Sequence, residues 1–138
     1  MKNIFILLFL ITITLIGCKT NQRQNGLKHG KWITYDSINN DSYKYVEHYK
    51  KGEEVRTWKT FKNKKIYKKE VFLKDSCQVI YYNVNKKIIL KGQTMSVQNE
   101  KETHWFYFGN WNYYDENGKL ILIKTYRNGE LISEKEIK

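Results

Sequence analysis

Gly30-Lys31-Trp32-Ile33-Thr34-Tyr35 and Gly109-Asn110-Trp111-Asn112-Tyr113-Tyr114 share one order: glycine, one residue, tryptophan, two residues, tyrosine. Each is followed by a second run that closes on tyrosine, two residues and glycine, as Tyr49 to Gly52 and as Tyr126 to Gly129. Trp58-Lys59-Thr60-Phe61 keeps the aromatic spacing, and Trp58 follows Gly52 by the same interval that separates Trp32 from Gly26. Trp111 lies about twice as far beyond Trp58 as Trp58 lies beyond Trp32, which leaves room for a degraded unit around Tyr81 and Tyr82. Periods of this size mark stacked supersecondary units, none of which buries its hydrophobic face alone. Here the unit reads as one β-hairpin.

The surrounding composition agrees. The chain has no proline, 15% of its residues are aromatic, and short runs rich in Tyr, Trp, Phe, Ile and Val are broken by Gly, Asn and Asp. Runs of that kind are strands. Asn117-Gly118 and Asn128-Gly129 are the best two-residue hairpin turns, because both central residues of that turn need positive φ. Asn63-Lys64, Asp75-Ser76 and Asn85-Lys86 are further turn candidates. Alternation puts Tyr43, Tyr45 and Tyr49 on one face; it puts Tyr67, Val71 and Leu73 together, with Lys68 and Glu70 opposite. The polar segment Thr94 to Thr103 reads as an irregular loop. Trp32, Tyr35, Trp58, Phe61, Trp111 and Tyr114 are expected to stack between units as the core. Trp105-Phe106-Tyr107-Phe108 must place two aromatics on each face, which leaves three uses open: burying a sheet edge, serving as a partner surface, or lying against the other layer of a sandwich.

These residues resemble the MORN-repeat family, in its bacterial variant with a Gly-x-x-x-Gly-x-Trp-x-x-Tyr start and a Tyr-x-x-Gly end. In this chain the start is Gly26, Gly30, Trp32 and Tyr35, and the end is Tyr49 and Gly52. The resemblance covers Asn25 to Phe61 and Gly109 to Glu130, and it is poor between Lys62 and Phe108. It implies an all-β, elongated antiparallel meander of consecutive hairpins with stacked aromatics. It also implies protein or lipid contacts and scaffolding, with an antitoxin role in some bacterial members, and no catalytic residue.

The amino end carries a different signal. Lys2 gives a short positive start, and Ile4 to Ile16 runs apolar with only Thr12 and Thr14 interrupting. That is the pattern of a secretory signal, too short for a spanning helix of about 20 apolar residues. Leu15-Ile16-Gly17-Cys18 resembles the lipobox of bacterial lipoproteins. The resemblance implies cleavage between Gly17 and Cys18, with diacylglycerol on the Cys18 thiol. The expected organisation is therefore a cleaved signal helix over 1–17, a lipidated cysteine with a flexible polar tether over 18–25, and a hairpin-repeat domain over 26–138. The expected location is the cell envelope, on the non-cytoplasmic side of a membrane and facing the periplasm or the surface, with the outer membrane as the favoured site.

Net charge is +11, a value that raises nucleic acid or an anionic surface as partners. Of the 25 basic residues only Arg23, Arg56 and Arg127 are arginine. Base readers favour the arginine fork, and exported proteins rarely meet nucleic acid, so nucleic acid is set aside. With Cys18 lipidated, Cys77 is left alone at the start of an apolar run and reads as packing. His29, His48 and His104 show no metal-ligand spacing, and Glu53-Glu54 sits among lysines like a solvated face. No cofactor, no metal and no catalytic frame is expected. Two functions remain: a non-catalytic module binding protein, glycan or anionic lipid, or an immunity-type protein that neutralises a toxin.

Overall fold

The structure is a computed structural model that describes residues 19–98 and 103–138. The signal segment, with Gly17 and Cys18, lies outside the described residues. Within them no residue is helical. The strands are β1 (Gln22–Gln24), β2 (Leu27–Ile38), β3 (Asp41–Lys50), β4 (Glu53–Glu54), β5 (Arg56–Lys62), β6 (Lys65–Phe72), β7 (Ser76–Tyr82), β8 (Ile88–Gln98), β9 (Thr103–Tyr114), β10 (Leu120–Arg127) and β11 (Glu130–Glu136). They form one antiparallel sheet in sequential order, with β4 and β5 in successive parts of the lane beside β3. The all-β character read from the strand and turn residues, and the meander order that the resemblance implies, are both observed.

Turn chemistry sets the register. Asn25-Gly26, Asn39-Asn40, Lys51-Gly52, Asn63-Lys64 and Asn128-Gly129 all have both residues at positive φ. That is the two-residue turn whose twist matches the strands it joins. Asn117-Gly118 differs from expectation, because only Gly118 has positive φ. There Asp115 Oδ1 accepts from the backbone N–H of Asn117 and of Lys119, each at 2.9 Å, and makes a longer loop. Asn83 Oδ1 repeats the arrangement on Asn85 and Lys87. The turn near Asp75 spans Lys74 and Asp75, and Ser76 already belongs to β7.

Three sequence expectations fail for identifiable reasons. Gln22–Gln24, read as tether, pairs with β2; Asn21 extends that pairing by exchanging two side-chain hydrogen bonds with the Ile33 backbone. Thr94 to Gln98, read as loop, belongs to β8 and is paired with β9, as is Thr103; ladders on both sides override weak local propensity. Tyr67 does not share a face with Val71. A bulge opposite Thr60 and Phe61 turns it, and its ring meets Tyr43 at 6.5 Å and Tyr81 at 5.5 Å.

Three of the four tryptophans repeat one local device. Two residues before each stands a residue with positive φ: Gly30 (74°), Arg56 (62°) and Gly109 (64°). Each indole N–H then donates to a carbonyl of the preceding lane: Trp32 to Gln22 at 3.1 Å, Trp58 to His48 at 2.9 Å and Trp111 to Gln93 at 3.1 Å. At Arg56 and Gly109 the register slips, as it does in a β-bulge. The kink lays each ring back over its neighbour, so the polar N–H is satisfied while the apolar surface packs.

The expected core splits in two. Tyr35 stands three positions beyond Trp32, an odd offset, so alternation puts them on opposite faces. Tyr35 is 73% exposed. Tyr35, Lys44 and Phe61 lie in one cross-strand row, and Lys91 sits over the Tyr114 ring at 5.5 Å on that same face. The other face holds an aromatic ladder: Trp32–Tyr49 at 6.2 Å, Tyr49–Trp58 at 4.9 Å, Trp58–Phe72 at 4.7 Å and Phe72–Trp105 at 5.6 Å. It continues through Tyr107 to Trp111 at 4.2 Å and to Tyr126 at 5.2 Å. Cys77, Val79 and Trp111 are the buried residues among those described. Gly92 lies directly beneath Trp111, where any Cβ would overlap the indole.

Candidate binding surfaces

The two faces of this sheet differ in charge as well as in packing, a property invisible until register is known. On the face opposite the tryptophans one continuous row crosses nine strands: Ile33, Val46, Lys59, Lys69, Ile80, Lys91, Asn112, Ile123 and Lys135. Lys31 and Lys44 flank it, opposite His48 and Tyr35. Lys59 and Lys69 are directly paired, an arrangement that is destabilising for like charges. The carboxylates that register places on this face, Glu53 and Glu130, stand at hairpin ends beside Lys50 and Arg127. None of the six interior lysines makes an ion pair among the described residues. Tyr35, Phe61 and Tyr114 stand between them, with Lys44 5.9 Å from the Tyr35 ring centre.

The tryptophan face holds the recorded ion pairs instead. They are Lys28–Glu47 at 3.8 Å, Lys62–Asp41 at 2.7 Å, Lys68–Glu70 at 2.7 Å and Lys124–Glu134 at 3.0 Å. Lys62 and Asn63 hydrogen-bond the Asp41 carboxylate and hold its pKa below the ordinary value. Lys28 also lies 4.9 Å from the Trp32 ring centre and 4.5 Å from that of Tyr49. Tyr49 donates its hydroxyl to Glu47, and burial together with that carboxylate pushes its pKa upward.

This face is curled. The lanes of β5 and β9 are four spacings apart, about 19 Å in a flat sheet, yet the Trp105 indole N–H donates to the Glu54 carboxylate at 3.2 Å. The fold brings Glu54, Trp58, Lys68, Glu70, Phe72, Cys77, Tyr81, Trp105, Tyr107 and Trp111 around a trough of about 270 Å³. Glu54, read from sequence as part of a solvated face, is half-buried here. Burial raises its pKa, the Trp105 hydrogen bond opposes the shift, and the Glu70 and Glu47 charges add to it. At Lys68, burial works against the ammonium, but Glu70 outweighs it and the pKa ends above the ordinary value.

Cys77 is buried at the floor, with its thiol pushed up to about 12 chiefly by burial and next by the Glu70 charge. Such a thiol is not a nucleophile at neutral pH. His29 and His48 line a common cavity of about 400 Å³ that His104 does not join; His48 Nδ1 lies 3.1 Å from the Thr57 carbonyl, and the His104 ring lies against Phe106. Among the described residues no three His, Cys, Asp or Glu side chains converge as a metal site.

Trp105 and Tyr107 lie on the ladder face while Phe106 and Phe108 lie opposite, two to each side as the aromatic run required. Sequence reading missed the lysine row and the special place of Glu54. The signal for the first is alternation combined with correct turns; for the second there is none, because it depends on the curl. No protein-family model, curated protein or solved structure matches the chain.

Proposed function

We propose that the chain is an exported lipoprotein, anchored through Cys18, whose MORN-like sheet is a non-catalytic module that binds an anionic partner with its lysine face. The observation that supports this reading most is the separation of charge between the faces. Six interior lysines gather on one side with apolar and tyrosine side chains between them, and no ion pair neutralises them among the described residues. Placing like charges opposite each other costs stability, and an anionic partner removes that cost. The lipobox resemblance supplies the location: a diacylglycerol on Cys18, with a further acyl chain on the freed amine, holds a protein at a membrane. At an anionic surface each nearby lysine contributes about 1 kcal/mol, weakened by salt.

The reading is tested in the native host with photocrosslinking residues placed at Ile80 on the lysine face or at Thr60 on the tryptophan face. Adducts from position 80 to anionic lipid, glycan or an acidic protein, alongside a diacylglyceryl mass on Cys18, are the expected result. Equal adducts from both positions, or an unprocessed amino end, would contradict it. A single stoichiometric protein adduct would select the immunity-type role within the same surface.

A further inference from the structure

The trough on the tryptophan face has no part in that reading and poses a separate question. Its walls are aromatic, as a folding core requires, but a carboxylate stands among them that packing does not explain. Glu70 is neutralised by Lys68 at 2.7 Å and Glu47 faces Lys28 at 3.8 Å. Glu54 makes no ion pair among the described residues; its recorded side-chain contact is the neutral N–H of Trp105. Burial and the Glu70 and Glu47 charges together outweigh the Trp105 hydrogen bond and the Lys28 charge at Glu54, so its ionised form gains from a further cation.

The chemistry of the walls decides which cation. Trp58, Phe72 and Trp105 offer π surface, attractive to positive charge, and few hydrogen-bond acceptors. A lysine ammonium brings three N–H donors and an arginine five, whereas the carboxylates of the lining are already engaged, Glu70 by Lys68 and Glu54 by Trp105. A divalent metal needs several oxygen ligands that are not assembled here. A quaternary ammonium has no donors, is weakly hydrated, and carries its charge on methyl groups that pack against rings. The volume of about 270 Å³ lies just under the range usual for whole drug-sized ligands and suits a head group.

We propose that this trough binds a trimethylammonium group, with Trp58, Phe72 and Trp105 as its walls and Glu54 as its counter-ion. Two sources share that chemistry, a free quaternary amine such as choline and the head group of a phosphatidylcholine. Tryptophan fluorescence of the full-length chain in detergent is titrated with choline, with tetramethylammonium and with 3,3-dimethylbutan-1-ol, the uncharged carbon analogue of choline. Both cations quench saturably and the analogue binds at least about tenfold more weakly, as cation–π attraction requires. Glu54→Gln keeps the Trp105 hydrogen bond and weakens choline about tenfold; Phe72→Leu, with one wall removed, weakens it further. Lys119→Gln, in the exposed loop between β9 and β10, leaves binding unchanged. Circular dichroism and urea midpoints establish that each variant folds. Sedimentation with phosphatidylcholine vesicles that is lost in Glu54→Gln assigns the lipid source, whereas choline binding without sedimentation assigns the free amine. No saturable quenching, or equal affinity for the uncharged analogue, overturns the proposal.

Discussion

At the residue scale the most informative position is Arg56. It stands where the two other tryptophan units have glycine, with φ of 62°. The left-handed conformation costs a residue with a Cβ about 1–2 kcal/mol, and the entropy of an added glycine offsets about half of that. Arg56→Gly is therefore expected to raise unfolding free energy by about 0.5–1 kcal/mol in urea titration. Gly109→Ala has open space around its new methyl, so its loss of about 0.5–1 kcal/mol, the strain less the same entropy offset, reports backbone conformation alone. Glu54 gives a pH-dependent case. Its folded pKa lies above the unfolded value of about 4.3, so the carboxyl disfavours the fold once ionised, and the penalty fades as pH falls through that window. Glu54→Gln should raise the urea midpoint at about pH 8 and lose that advantage by about pH 3.5, below the unfolded value. An equal gain at both pH values would point to packing instead.

At the element scale the hairpins were legible because turn chemistry is local. Asn128-Gly129 and the aromatic runs beside it specify their conformation with no help from the rest of the chain. Asn117-Gly118 misled because the deciding residue is Asp115, whose carboxylate replaces a backbone partner and lengthens the loop. Asp115→Ala should lower stability by about 1 kcal/mol, the net worth of hydrogen bonds whose donors water can reach, while its neighbour Glu116→Ala stays within about 0.5 kcal/mol. Similar losses at both would remove Asp115 from this role. Bulges account for most of what sequence could not give. One inserted residue turned Tyr67 onto the tryptophan face, and the tryptophan kinks at Arg56 and Gly109 depend on the register taken with the preceding strand. The odd spacing from Trp32 to Tyr35 was in plain view and already separates their faces; grouping both as core took motif spacing for packing.

At the scale of the molecule the sheet is a single layer in which strands meet chiefly their immediate neighbours. Each face must therefore account for its own surface. One does so by stacking aromatics, pairing charges and curling until Glu54 reaches Trp105. The other leaves Lys31, Lys44, Lys59, Lys69, Lys91 and Lys135 unpaired among the described residues. A high lysine count was evident from composition, yet its placement on one side followed only from register. The most direct measurement is the salt dependence of crosslinking between the native chain and its partner in membranes from its host, compared with the triple variant Lys59→Glu, Lys69→Glu and Lys91→Glu, and with Lys124→Glu on the opposite face. Comparison is made at the level of partner crosslinks, since the acyl anchor holds every variant at the membrane. The account predicts that partner crosslinks weaken with salt, vanish in the triple variant and persist in Lys124→Glu; persistence in the folded triple variant would contradict it.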